Sequence, residues 1–329
     1  MVNDKRGDYM EIKKFCEPYL DAAMKLAYEN YLEECNVTKS LPEIETVVDL
    51  SFFVENGLGV VALENEKVVG FWAYYMPWDN AFDSGVKGTF TPVHAHGAIV
   101  TNRGRIYKRM YEVLAKELVS QEVMYHAISF YAHDYVAKEA MWQYGFGMRC
   151  ADAMKILEAG GNRAESFESR NLGDGQIMFE ELPRECASEI RELRRGLFFH
   201  LHKSPCFMSA TNERFEAWIK RAEHRDSRLF VAKVKNEIVA FFEVCKDGET
   251  FVSGGEDARH FCGAYVDENY RGKIAQELLS YIEQTLYAEG IRRLGVDFET
   301  FNPTAYGFWS KHFEIYTNSL TRRIDECGL

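Results

Sequence analysis

Several kinds of segment are missing from this 329-residue sequence, and each absence excludes a class of protein. No stretch approaches the roughly 18 consecutive apolar residues of a membrane-spanning helix. No Pro/Ser-rich tract or block of like charge reads as disordered, and 47% apolar with 14% aromatic residues is the composition of packed globular domains. The eight cysteines form no CxxC or His-spaced pair, which argues against a zinc site and for reduced thiols. The opening MVNDKRGDYMEIKKF is charged throughout and lacks an apolar core with a small-residue cleavage site, so no signal peptide is read there. These features predict a cytoplasmic protein. Basic residues are scarce too: 39 Lys and Arg against 51 Asp and Glu leave a formal charge of −12. That excess disfavours nucleic acid as a partner and mildly favours a cationic substrate, although acidic surfaces also serve solubility alone.

The length suggests about two domains, and an internal repeat supports that count. Gly59–Tyr75, GVVALENEKVVGFWAYY, matches Leu229–Val244, LFVAKVKNEIVAFFEV, at an offset of 170. Both are β-rich runs broken by a turn-like N-E or K-N-E, the pattern of a hairpin. HAHGAIV at His94 then matches HFCGAYV at His260, offset 166; each runs into an Arg-Gly element, NRGRIYKRMY at Asn102 and YRGKIAQELL at Tyr270. Ile106, Met110, Val113, Leu114 and Leu118 in one copy, and Ile274, Leu278, Ile282 and Leu286 in the other, are spaced as the buried stripe of a helix. MWQYGF at Met141 matches FWSKHF at Phe308, offset 167. The Gly- and charge-rich stretch Glu158–Gln176 falls where a linker is needed. We therefore expect domains over 1–160 and 176–329, each a mixed α/β layer in which the hairpin requires antiparallel pairing.

A strand that ends in a Gly-containing turn and opens a helix presents unpaired N–H groups at the positive end of the helix dipole, a ready anion site. In the second copy Arg271 and Lys273 add charge, Gly272 permits close backbone approach, and Ala275 leaves room beside the first helical turn before Gln276. In the first copy Tyr107 replaces Ala275 and should crowd a pyrophosphate.

This order of elements resembles the Gcn5-related N-acetyltransferase (GNAT) superfamily, in which a fourth strand leads into a Gln/Arg-x-x-Gly-x-Gly/Ala loop that cradles the pyrophosphate of coenzyme A. NPTAYGFW, Asn302–Trp309, resembles the superfamily's Asn-Pro-x-Ala segment beside the pantetheine arm. The resemblance covers 229–329 well and 50–158 through the repeat. It implies a fold class of α/β with a mixed sheet, as two tandem GNAT-like acyl-CoA N-acyltransferase domains, the first degenerate and the second catalytic. Three departures stand out: RGKIA, like the first copy's turn, is one residue short of the family's RGxGIA; Trp309 stands where many members carry the tyrosine that protonates the leaving thiolate; and the first copy has AHDYVAKEAMW in place of the Asn-Pro segment.

The resemblance implies acetyl-CoA (CoA) as the cofactor, held by Ala264, Tyr265 and Val266, by Arg271, Gly272, Lys273, Ile274, Ala275 and Gln276, and by Asn302 and Trp309. Direct transfer to an amine needs a base and a proton source for the sulfur. By position His260, six residues before Val266, is a candidate base; Glu243, Glu256 and Asp257 compete for that role or for orienting a substrate cation. Indole cannot act as an acid, so Tyr306, Tyr316 or water would protonate the thiolate. Cys262 is discounted as a nucleophile. The expected activity is acetyl transfer from acetyl-CoA to a primary amine of a small molecule or peptide, with no nucleic acid and no membrane as partner and with a homodimer compatible with the layout. A non-catalytic acetyl-CoA binding or sensing module, and a cofactor-free scaffold, are the alternatives.

Overall fold

The computed structural model describes residues 10–159, 171–172, 175–272 and 274–327. The chain forms two compact units, Met1–Ala151 together with Ile315–Leu329, and Asp152–Glu314.

In the first unit β1 (Glu11–Lys14), α1 (Leu20–Val37) and α2 (Ser51–Glu55) precede a hairpin of β2 (Gly59–Glu64) and β3 (Lys67–Ala73). The hairpin's turn residues, Asn65 and Glu66, both take positive φ, 50° and 64°, which matches the right-handed twist of the flanking strands. Next come β4 (Gly88–Thr91), β5 (His96–Ala98), α3 (Arg103–Ser120), β6 (Tyr125–Tyr131), α4 (Tyr135–Trp142) and β7 (Gly147–Ile156). Ile106, Met110, Leu114 and Leu118 of α3 are all buried, so the apolar stripe that makes the helix also docks it. One sheet runs β1–β2–β3–β5. In the other, β4 lies parallel to β6, and the last strand of the chain, β15 (Thr317–Arg323), pairs with β6 on one side and with the first half of β7 on the other. This unit thus takes its closing strand from the far end of the sequence, whereas the bounds expected from the repeat run sequentially. Most of the expected linker, Glu158–Gln176, lies outside the described residues.

The second unit starts with Asp152–Ile156 of β7 and continues through β8 (Asn171–Leu172), β9 (Gly175–Leu182), α5 (Arg191–His200), α6 (Asn212–His224), β10 (Ser227–Val234), β11 (Glu237–Cys245) and β12 (Ala258–Val266). It ends with α7 (Ile274–Ala288), β13 (Arg293–Glu299), α8 (Pro303–His312) and the start of β14 (Glu314–Ile315). Its sheet order is β7–β13–β12–β11–β10–β9–β8; β12 and β13 are parallel, while β9 to β12 are antiparallel neighbours. α5 is seated by Ile190, Leu193 and Leu197 against Leu182, Leu229, Val231 and Phe241.

The sequence repeat is structural. β2–β3 corresponds to β10–β11, β5 to β12, α3 to α7 and α4 to α8. The two hairpins even share a register shift, after Ala62 in one and after Ala232 in the other, and the second turn repeats positive φ at Lys235 and Asn236. Among the described residues no helix is long and apolar enough to cross a membrane, and no cluster of three His, Cys, Asp or Glu could hold a metal.

A buried ion network anchors α3 in the first unit. Arg103 donates to both oxygens of Glu33 at 2.8 and 2.9 Å, to Asp134 at 3.2 Å and to the carbonyl of Ala98 at 2.8 Å. His133 joins it: its Nδ1 lies 2.6 Å from the fully buried Glu34 carboxylate and its Nε2 lies 3.3 Å from Glu33. Burial opposes the charged ring, but hydrogen bonds and charge from Glu34, Glu33 and Asp134 outweigh it and raise the His133 pKa above its ordinary 6.5. A native pKa above the unfolded one stabilises fully below about pH 6.5, and the gain is lost as pH rises through the native value. We expect His133→Gln to cost about 2 kcal/mol near pH 6, and the deficit to shrink toward pH 9 in urea melts.

Candidate functional site

A groove in the second unit exists because β12 and β13 part company. Their parallel ladder runs from Ala258 opposite Arg293 to Phe261 opposite Val296 and stops. β12 stays paired with β11 as far as Val266 opposite Ala240. The β13-facing edge of Gly263 to Val266 therefore has no partner strand, and such an edge can hydrogen-bond an extended ligand. The gap opens into a cavity of about 900 Å³.

Aromatic side chains wedge the gap. Trp309 of α8 is buried, 5.2 Å from the Phe261 ring, 5.7 Å from Phe242 and 4.9 Å from Phe308 between ring centres. On the opposite wall α5 contributes Leu197, Phe198 and Leu201 follows it, and α6 supplies Trp218. Gly196 lets α5 approach closely, since a Cβ there would sit 2.7 Å from the Tyr265 ring.

At the end of β12 a short turn, capped by Asp267 accepting from the Asn269 N–H at 2.9 Å, delivers Arg271 and Gly272 to the groove. The Arg271 Nε donates to the Val266 carbonyl at 3.5 Å. Gly272 has φ +120°, which a side chain rarely tolerates, and nothing lies within 4 Å of where its Cβ would be. Ala275 and Gln276, in the first turn of α7, also line the groove. Asn302 caps α8: its Oδ1 accepts from the backbone N–H groups of Thr304 and Ala305 at 3.3 and 3.4 Å, with Pro303 at the first helical position. The Thr304 hydroxyl donates to the same oxygen at 2.8 Å, and His200 Nε2 lies 3.0 Å from that hydroxyl. Burial and then the charge of Arg271 lower the His200 pKa, and its Nδ1 is buried without a hydrogen-bond partner among the described residues.

A second polar group sits where the ladder ends. His260 is buried, with Nε2 2.9 Å from Asp297 Oδ1. Burial opposes its charge, but the hydrogen bond and charge of Asp297, with Asp152 and Cys245 behind, raise its pKa. Asp297 and Glu299 of β13 line the groove; His260 does not.

Of the residues expected to hold a cofactor, Ala264, Tyr265 and Val266 line the groove, as do Arg271, Gly272, Ala275, Gln276, Asn302 and Trp309. Ile274 is instead core, 1% exposed, because it begins the buried stripe of α7, and Lys273 lies outside the described residues. The expected proton-transfer residues are dispersed. Glu243 is buried and accepts from Arg194 at 3.0 Å and from the Ser227 hydroxyl at 2.7 Å; Glu256 is exposed and pairs with Lys246. Tyr306 is 43% exposed and is not part of the groove lining, and Tyr316 belongs to the first unit, buried where its carbonyl accepts from the Ala132 N–H. Cys262 reaches the groove, but a hydrogen bond with Cys245 and burial push its thiol pKa up, so it stays protonated. Asp297, Glu299 and His200 were missed by sequence reasoning. The period-two acids of VDFE at the C-terminal end of a strand, where ligands of α/β sheets bind, were the available signal for the first two.

In the first unit the equivalent turn is filled. Tyr107 is buried with its hydroxyl 2.7 Å from His96 Nδ1. Arg103 is committed to the ion network, and a Cβ on Gly104 would meet Val136 at 3.3 Å.

Residues 188–314 match the family model described as Acetyltransferase (GNAT) family. A GCN5-related N-acetyltransferase from Sphaerobacter thermophilus has the same fold, at 12% identity and a TM-score of 0.58, with 97% of this chain and 96% of that one aligned. A tandem GNAT protein from the clavulanic acid biosynthesis pathway aligns at 13% identity and a TM-score of 0.44 over 96% of this chain and 99% of its own. The PaiA N-acetyltransferase from Thermoplasma acidophilum, in complex with coenzyme A, aligns at 15% identity and a TM-score of 0.35 over 44% of this chain and 97% of its own. A search of the curated proteins found no match.

The Asn302 cap yields a direct test of the local structure. Asn302→Ala should destabilise the second unit by about 1 kcal/mol in urea melts, and Asn302→Asp, which keeps an acceptor for the two N–H groups, should recover most of that loss.

Proposed function

We propose that this GNAT-superfamily chain is an acetyl-CoA dependent N-acetyltransferase whose second unit moves an acetyl group to a primary amine of a small molecule or peptide. The observation that carries the reading is the unpaired β12 edge and the Arg271–Gly272 turn opening into one groove.

The residues present suit an acyl-CoA. The edge of Gly263–Val266 offers backbone groups to an extended amide-bearing arm. Arg271, the N-terminal turn of α7 and the open space at Gly272 suit a pyrophosphate, and the orphaned His200 Nδ1 is a further polar contact at that end. When bound, such a group supplies an activated acyl thioester. The protein's own part is to align the arm along β12, to exclude water with the Phe242–Phe261–Trp309 wedge, and to hold an amine at the carboxylates of Asp297 and Glu299. Those carboxylates, with Phe198 and Trp218 close by in the lining, favour a cationic amine that carries an apolar portion.

A purely binding or sensing role is favoured by one observation. None of the acids expected for the departing thiolate is at the groove: Trp309 carries an indole, Tyr306 is outside the lining and Tyr316 lies in the first unit, so the catalytic reading requires water, the incoming amine's proton or the lining residue Tyr265 for that step. Thiol release with an amine present would exclude the binding role. For the first unit, the filled turn at Tyr107 and Arg103 supports a structural part only.

Calorimetric titration should give one CoA site per chain. Saturation at 100 times Kd should stabilise the second unit by about 2.7 kcal/mol. Gly272→Val, which forces a β-branched residue into φ +120°, should weaken CoA at least about tenfold, or about 1.4 kcal/mol, while the chain stays folded. Unchanged affinity in that variant would remove the pyrophosphate assignment, and two equal sites would overturn the structural role of the first unit.

A further inference from the structure

We infer that Asp297 is the residue that receives the proton of the acceptor amine, and that His260 is a positioning residue acting through it. The inference rests on the acetyltransferase reading given above and adds to it the group that meets the amine.

Asp297 is the first residue of β13 beyond the end of the ladder, since Val296 opposite Phe261 is the last pair. It therefore stands at the apex of the opening, where the unpaired edge of β12 begins on the other side. Its side chain is 32% exposed and lines the groove. His260, by contrast, has a side chain only 3% exposed and lies outside the lining, so an amine in the groove meets Asp297 before it can meet the ring.

The ring is built in from both sides by glycine. A Cβ on Gly295 would lie 2.7 Å from His260 Nδ1, and one on Gly248 would clash with the same atom. Neither position can take a larger residue without moving the ring, and Nδ1 has no hydrogen-bond partner among the described residues. Among the described residues the imidazole hydrogen-bonds only through Nε2, to Asp297 Oδ1 at 2.9 Å. A ring so confined fixes the carboxylate in one rotamer, and Oδ2 of Asp297, which makes no hydrogen bond among the described residues, is left for the groove.

The groups around the pair are acidic. Asp152 of β7 and Glu249 of the β11–β12 loop act on it electrostatically, Cys245 of β11 acts on the ring, and Glu299 of β13 acts on Glu249. The charge of Asp297 and then partial loss of water push Glu249 up to about 7, even though the residue is exposed. In this field an ammonium is drawn to the apex, where the imidazole Nε2 holds Asp297 by Oδ1. The step is a proton transfer alone. The N–H bond of the ammonium breaks, an O–H bond forms at Oδ2, and the nitrogen keeps its electron pair for attack. The carboxyl proton then returns to solvent at the mouth of the groove, and no redox partner is consumed.

The test uses full-length protein, acetyl-CoA and 2-phenylethylamine as the acceptor probe, with kcat/KM followed from about pH 5.5 to 9.5 and CoA affinity titrated separately for each variant. Asp297→Asn should lower kcat/KM at least about 100-fold, abolish its ascending acidic limb, and leave CoA affinity within about twofold. Asp297→Glu should restore a measurable part of the rate and the limb. His260→Gln, whose amide can still donate toward Asp297, should keep the limb but displace its midpoint, with a smaller loss of rate, an effect a merely structural histidine would not have on the profile. A normal profile and rate in Asp297→Asn would overturn the inference, as would loss of the limb in His260→Gln with Asp297→Asn unaffected. Absence of CoA binding by the wild-type protein would remove the acetyltransferase reading itself, and CoA binding without turnover of the amine would overturn both.

Discussion

The parallel ladder between β12 and β13 ends at Phe261 and Val296, and the groove of the second unit follows from that break. A buried sheet normally pairs every backbone group, because an orphaned one costs roughly 1–3 kcal/mol. Parting two central strands is therefore unfavourable unless something fills the space between them or visits it. Here aromatic rings fill the base. Phe242, Phe261, Phe308 and Trp309 meet edge-on or tilted, with ring centres 4.9 to 6.1 Å apart in the pairs that touch, and prop the strands apart, while the edge beyond them has no partner strand among the described residues.

The break also organises the polar groups. Register places His260 opposite Gly295 and sends Asp297 into the opening. The shift in the β11–β12 ladder between Glu243 and Val244 makes Cys262 the extra residue of a bulge, which re-aims the strand as it enters the groove. Beneath it, Gly263 leaves room for the Glu243 carboxylate, since a Cβ there would lie 3.2 Å from it. Glu243 is in turn neutralised by Arg194, so a residue that looked available for proton transfer is spent on seating α5 against the sheet. A buried ion pair of this kind adds little net stability but is costly to break on one side only.

The first unit shows what the same frame becomes when the turn is closed. Its hairpin, bulge, helix and crossover are those of the second unit, yet Tyr107 occupies the space that Ala275 leaves open, and Arg103 turns inward to Glu33 and Asp134 where Arg271 faces the groove. One side-chain volume and one pair of carboxylates on neighbouring elements separate an open turn from a packed core.

The sequence by itself determined the elements and their repetition: hairpin, strand, Arg-Gly turn and amphipathic helix are local patterns, each set by a few residues in a row, and the mixed α/β fold in two copies follows from them. It also marked residues that meet at one groove, because Arg271, Gly272 and Ala275 fall within five positions and Asn302 caps its helix locally. It did not reveal that β15 closes the first unit, since TNSLTRR has the alternation of a strand but carries no mark of which strands it will pair with. Nor did it separate the titratable groups. Along the chain His260 stands first as a base with Glu243 as a competitor, and Tyr306 and Tyr316 stand as acids; only packing decided that Glu243 is neutralised by a distant arginine, His260 is walled in by glycines, Tyr306 is exposed and Tyr316 lies in the other unit. Asp297 went unnoticed because its significance comes from where a ladder of hydrogen bonds stops, and that depends on residues from four elements meeting in space rather than on any spacing in the sequence.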